Sequence, residues 1–202
     1  MTVTKSPGVD AIPAAIGIYP LLSTEPKEPH STPIRFSRMS STSREDGVYI
    51  APPTDSKLVL TLESQMVTNL LGAELSYRGF ALKELPVETP RDDVAGEGDK
   101  HTFYVSLALL DRLRESYDLR ALLLGNVYFV PNRYDPAELL VRAAYLRVID
   151  VTTLDVLCHV SLNNGSYGAT MEETVQQLAL ELAVMAGTDV SVPDRDEPPR
   201  AE

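Results

Sequence analysis

The chain has a single cysteine, Cys158, and no tryptophan. One thiol cannot form an intramolecular disulfide, and a multi-cysteine zinc site is excluded with it. Aromatic residues make up only 6%, so leucine, valine and alanine must fill most of any core. No apolar run approaches the roughly 20 residues needed to span a bilayer as a helix. The tripeptide Gly-Lys-Ser/Thr does not occur, and no glycine-rich dinucleotide fingerprint stands between a strand and a helix. Gly96-Glu97-Gly98 lies in an acidic loop that would repel phosphate. Basic residues are the minority: 18 lysines and arginines against 29 acids give a net charge of −11. That balance disfavours nucleic acid and anionic lipid headgroups as partners.

Residues 1–20 are not expected to be a secretory leader. Residues 1–20 hold one lysine, Lys5, and an apolar patch broken by Pro13 and Pro20. Two expectations follow: a cytoplasmic protein, or a mature form in which Met1 stands where a lipid-bearing cysteine stood.

What is present is ordinary for a folded domain: 202 residues, 44% hydrophobic and 23% charged. Residues 1–56 carry eight of the fifteen prolines. Proline removes a backbone donor, so this stretch is expected to be an arm, partly packed and partly a tether. Short extended pieces are allowed at Ala14–Tyr19 and Gly47–Ala51. A domain is expected over residues 57–187, followed by an acidic, proline-rich and disordered tail over 188–202.

Within the domain, apolar residues Val59, Leu62, Met66, Leu70 and Ala73 recur every three or four positions, with Leu58, Val67 and Leu71 widening the stripe. This predicts a helix over Lys57–Arg78, capped by Asp55 or Ser56 and ended by a left-handed Gly79. Phe80–Val87 predicts a short strand. Ser106 is placed to cap a second helix through Tyr117, with Leu107, Leu110 and Leu113 inward. Leu119–Val130 is nearly all apolar and fits a strand buried on both faces. Leu139–Asp150 is another strand. Leu154, Val156, Cys158, Val160 and Leu162 alternate onto one face, with Leu157 the exception. The short Val151–Thr153 link predicts an antiparallel hairpin. Thr170 and Glu173 form a capping box for a last helix, whose Met171, Val175, Leu178, Leu182 and Met185 face inward and which Gly187 ends. The expected fold class is α/β: a mixed sheet of four to five strands with a C-terminal hairpin, packed against three helices.

Three stretches of the body resemble the FlgO family of flagellar outer-membrane lipoproteins. They are Tyr77-Arg78-Gly79-Phe80 leading to Glu84, then Phe103–Gly125 with Ser106, Leu110, Leu113 and the run Ala121–Gly125, then Leu146–Val156 with Ile149-Asp150 before the turn. The resemblance spans residues 57–162. It extends more loosely to the curli-export and penicillin-binding-protein-activator lipoproteins. It implies a non-catalytic part in an outer-membrane or flagellar assembly, on the periplasmic face of the outer membrane, and self-association into a homo-oligomer. It brings no catalytic residue, and any membrane contact would run through a lipid anchor that this chain does not carry. The sequence departs from the family at Leu154, where a hairpin glycine is usual. A leucine disfavours positive φ, so a different or longer turn is expected.

Candidate chemistry is sparse. Cys158 and His159 are neighbours, but successive strand residues point to opposite faces, so a buried thiol is expected rather than a nucleophile pair. His30, His101 and His159 lie in an arm, a loop and a strand, with no helical ligand spacing. Asp92, Asp93, Glu97 and Asp99 do not follow the twelve-residue calcium-loop order. Asp150 and Asp155 flank the hairpin and are expected to shape the turn, and Asn164-Gly165 to make a tight one. No catalytic, cofactor or metal residue is expected. The exposed turn Pro131–Pro136 is the best partner-contact candidate, through Asn132, Arg133 and Tyr134, because arginine and tyrosine are enriched in binding hot spots. The alternatives to an envelope interaction protein are a cytoplasmic scaffold or regulator on the same core, and a small enzyme with a pocket at His101, Cys158 or His159.

Overall fold

The computed structural model describes residues 2–5, 12–24, 40–44, 47–51, 58–85, 103–165 and 167–187. In chain order the elements are β1 (Thr2–Lys5), β2 (Ala15–Ile18), β3 (Leu22–Thr24), β4 (Ser40–Arg44), β5 (Gly47–Ala51), β6 (Leu58–Val59), α1 (Leu62–Tyr77), β7 (Ala81–Glu84), β8 (Phe103–Ser106), α2 (Leu107–Tyr117), β9 (Ala121–Pro131), β10 (Leu139–Asp150), β11 (Val156–Asn163) and α3 (Met171–Ala186).

The main sheet is mixed, in the order β1-β11-β10-β9-β2-β7, with β3 beside β9 and β6 beside β3. β9, β10 and β11 form an antiparallel meander, while β2 runs parallel to both β9 and β7. The α/β class, the mixed sheet, the C-terminal hairpin and the three helices are as expected. The strand count is higher, eight in this sheet, because two- to four-residue pieces from the first 59 residues join it. β4, β5 and β8 form a separate three-stranded antiparallel sheet.

One core lies on each face of the main sheet. β9 shows why: Ala121, Leu123 and Val127 join α1 and α3 on one face, and Leu122 and Leu124 join Leu110 of α2 on the other. A strand sandwiched in this way shows no polar alternation, which is how residues 119–130 read. The first core also takes Val175, Leu178 and Leu182 from α3, as expected, with Met171 and Met185 only partly buried. The Thr170–Glu173 capping box forms, and Gly187 and Gly79 adopt φ of 67° and 87°.

Several expectations are corrected. The packed part of the arm goes deeper than a surface contact: Ile16 and Ile18 of β2 are fully buried within the main sheet. Pro13 and Pro20 bracket a proline-free window long enough for a short central strand, and neither needs to donate within it. α1 begins at Leu62, not Lys57; Thr61 and Ser64 make its capping box, and the residues before it pair with β3.

The inward face of α1 also differs. Ser64, Val67, Thr68, Leu71, Gly72 and Leu75 are buried, whereas Leu62 is 70% and Met66 47% exposed. Small polar residues face inward because their groups are satisfied there. The Thr68 hydroxyl donates to the Ser64 carbonyl at 2.8 Å and accepts from the Leu21 amide at 2.9 Å.

The alternation in the last strand breaks at Leu157. The register steps from Val148↔Cys158 to Ile149↔Val156, leaving Leu157 as a bulge. Cys158, Val160 and Leu162 then face the α1/α3 core, while Leu154 and Val156 pack on the opposite one. The turn expectation at Leu154 also fails: the leucine takes φ 62° itself.

Candidate functional site

Two successive antiparallel connections return a chain to the end it started from. The β9–β10 turn and the loop after β11 therefore meet at one end of the sheet, although about thirty residues separate them in sequence.

The β9–β10 turn is closed by the Asn132 amide donating to the Glu138 carbonyl at 2.8 Å. The Asn132 side-chain amide also donates to the Glu138 carboxylate. Asn132 Oδ1 accepts from the Tyr134 amide at 3.0 Å, and Asp135 Oδ1 accepts from the Ala137 amide at 3.1 Å. These short-range bonds hold the backbone on both sides of Arg133 and leave its side chain projecting.

The opposing loop is tied to β10. Val141 and Ala169 exchange backbone bonds of 2.7 and 2.9 Å. Asn164 Nδ2 donates to the Val141 carbonyl at 2.9 Å and to the Thr174 hydroxyl at 3.1 Å. Between these ties Gly168, at φ 73°, lies so close to β10 that an added Cβ would fall 2.8 Å from Leu140 Cβ.

Between turn and loop lies a cavity of about 530 Å³. Arg133, Tyr134 and Tyr167 form its rim, and Leu140, Gly168 and Ala169 contribute apolar and backbone surface. The Arg133 guanidinium carbon stands 5.5 Å from the centre of the Tyr167 ring, within cation–π range. Tyr134 is 96% exposed and Tyr167 66%. The carboxylates here are already engaged: Glu138 with Asn132, and Glu173 through its Oε2 with the Thr170 amide at 3.0 Å and hydroxyl at 3.1 Å.

The structure thus gathers Asn132, Arg133 and Tyr134 at one cavity and adds Tyr167, which sequence reasoning missed. The available signal was a large aromatic side chain just after a tight turn and three residues before a helix cap. Asp150 shapes the hairpin turn through its own side chain, which accepts from Thr152 and Thr153. Cys158 is fully buried in the α1/α3 core. Neither Cys158 nor His159 lines the cavity. Among the described residues no group of three or more His, Cys, Asp or Glu could hold a metal, and no helix is long and apolar enough to cross a membrane. His30, His101, Asp92, Asp93, Glu97 and Asp99, and the tail over 188–202, lie outside the described residues.

Among the described residues one titratable group is strongly perturbed, away from the cavity. Burial pushes the Tyr128 phenol up to about 12; the Asn126 side chain pulls it down and Tyr145 pushes it further up. Tyr145 meets Tyr128 edge-on, with ring centres 5.9 Å apart.

No protein-family model and no curated protein sequence matches the chain. Among solved structures it is similar to the PelC dodecamer from Paraburkholderia phytofirmans, at 12% identity and a TM-score of 0.44, covering 92% of this chain and 97% of that one. A single-substitution variant of the same dodecamer is similar at 11% identity and a TM-score of 0.44, covering 92% and 98%.

Proposed function

We propose that the chain is a non-catalytic interaction protein of a bacterial cell-envelope assembly, which binds protein partners, copies of itself among them, through the Arg133–Tyr134–Tyr167 surface. The observation that carries this reading is the Arg133 guanidinium placed over the Tyr167 ring beside the almost wholly exposed Tyr134. A large aromatic side chain left in water forgoes the stabilisation that burial would give it. Here the residue types are those of binding hot spots, and the backbone beneath them is held by local hydrogen bonds. A surface held in place before contact loses less conformational freedom on binding. The envelope setting rests on the sequence resemblance to FlgO-like lipoproteins.

Light scattering over a concentration series tests self-association. The reading expects a mass above the 22.2 kDa of one chain, falling toward it in Tyr134→Ala. A strict monomer at every concentration contradicts the self-association. Fractionation of the native protein tests the setting: recovery with the outer membrane supports it, and recovery with the cytoplasm overturns it in favour of an internal scaffold.

A further inference from the structure

We infer that the outer face of α1 pairs with the same face of a second copy of this chain, the two helices crossing antiparallel about a twofold axis near Asn69. This contact is separate from the Arg133–Tyr134–Tyr167 surface and goes beyond the binding role proposed above.

The solvent side of a surface helix usually carries charge. On α1, Leu62, Met66, Asn69, Ala73 and Tyr77 form an exposed stripe, and the other two exposed residues, Gln65 and Ser76, are also uncharged. At 3.6 residues per turn these positions fall within about 120° of the helix circumference. The charges lie beside the stripe: Glu63 is half-buried, and Glu74 pairs with Arg78 at 2.9 Å. The stripe has the periodicity that predicts burial of Leu62, Met66 and Ala73, yet the core takes the opposite side of the helix through Val67, Leu71 and Leu75. α1 therefore has two apolar faces, and the described residues cover one of them.

Charge and shape select a second copy as the occupant. A twofold contact sets a patch against itself, so any net charge in it faces its like. In a chain of net charge −11, a charge-free stripe is where two copies meet without that repulsion. The order of residues along the stripe is self-complementary too. An antiparallel axis midway along it sets Met66 opposite the partner's Ala73, and Leu62 opposite the partner's Tyr77, each pair occurring twice. Large opposite small lets the two helices approach closely. Asn69 falls at the centre, opposite the partner's Asn69. An amide both donates and accepts, so it can bond its own copy, and one such amide in an apolar seam fixes register and direction. A helix that lies on a bilayer carries lysine or arginine along its polar flank, whereas Glu63 and Glu74 flank this stripe. Two single-helix faces bury on the order of 1,000 Å², the low end for a specific interface, so the pair forms at micromolar rather than nanomolar concentration.

Cysteine placement on the full chain reads the axis directly. Cys158 is fully buried, so an added surface thiol is the accessible one. Asn69→Cys is expected to form a disulfide-linked dimer under mild oxidation at about 100 μM chain, well above a micromolar dissociation constant. Leu62→Cys is more exposed but is expected not to, because the two copies of residue 62 lie about 22 Å apart across the axis, far beyond disulfide reach. Adding Met66→Lys puts a charge into both halves of the seam and should cut the Asn69→Cys cross-link at least tenfold. Its thermal unfolding should match that of Asn69→Cys alone, because residue 66 is exposed. Adding Tyr134→Ala should leave the cross-link intact, which separates this contact from the surface proposed above. Equal cross-linking from residues 62 and 69, a cross-link that Met66→Lys leaves unchanged, or no cross-link at all overturns the inference and leaves the Arg133 surface standing. Co-sedimentation of the wild-type chain with phosphatidylcholine vesicles, lost in Met66→Lys, would give the face to a bilayer and overturns it likewise.

Discussion

The Leu154 amide donates to the Asp150 carbonyl at 2.9 Å, closing the β10–β11 hairpin with a leucine at φ 62°. A left-handed leucine costs about 1–2 kcal/mol. The turn holds it there through Asp150, whose Oδ1 accepts from the Thr152 and Thr153 amides at 2.7 and 2.9 Å. Asp150→Ala removes both acceptor contacts and should lower unfolding free energy by about 1–2 kcal/mol. Asp150→Asn keeps an acceptor oxygen and should cost less than half of that. Urea denaturation of the three proteins checks the order, and equal losses for the two variants would show that the acceptor does not hold the turn.

Glycine substitutions separate backbone strain from overlap. Gly165 has φ 71° with open space around it, so Gly165→Ala should cost only the strain, about 1–2 kcal/mol. Gly168 combines φ 73° with a Cβ 2.8 Å from Leu140 Cβ, and its alanine variant should lose about 2–4 kcal/mol. At Gly125 a Cβ would lie 2.6 Å from the Tyr145 carbonyl oxygen and 2.5 Å from Leu146 Cδ2. Backbone cannot give way there as a side-chain tip can, so Gly125→Ala should cost about 3 kcal/mol or more. Thermal unfolding of the three variants should rank them in that order. A Gly125→Ala protein as stable as Gly165→Ala would contradict the close approach of β9 and β10.

Alkaline pH should destabilise the fold through Tyr128. An exposed tyrosine in the unfolded chain ionises near 10, whereas the folded phenol holds its proton to about 12. Between those values the unfolded state has lost a proton that the folded state keeps, so stability falls as pH rises. The loss attributable to this one group is about 2–3 kcal/mol across the window and is absent below pH 10. Denaturation at pH 9 to 12 should show the decline, and the wild-type-minus-Tyr128→Phe difference should carry it. A flat difference would mean that Tyr128 ionises freely.

Legibility in the sequence followed physical cause. β10 and the capping box of α3 were readable because length, periodicity and cap chemistry agree there. The inward face of α1 was not, because Ser64, Thr68 and Gly72 are chosen for size and internal hydrogen bonding rather than hydrophobicity. The placement of β2 was hidden by flanking prolines, and the bulge at Leu157 turned one apparent alternation into two faces. The candidate site was half visible. Composition marks Asn132, Arg133 and Tyr134, but only the return of the meander brings Tyr167 to them.

The most direct test of the binding surface is photo-crosslinking in the native source, with a benzophenone amino acid replacing Tyr134 and, as control, Thr152 at the opposite end of the hairpin. The account predicts a discrete protein adduct from position 134 and none from 152. Its yield should fall about tenfold when Arg133→Gln and Tyr167→Ala are added together, since each removes part of the same contact. An adduct pattern at 134 that matches the control, or one that the double substitution leaves unchanged, would contradict the claim that this surface is where the protein acts.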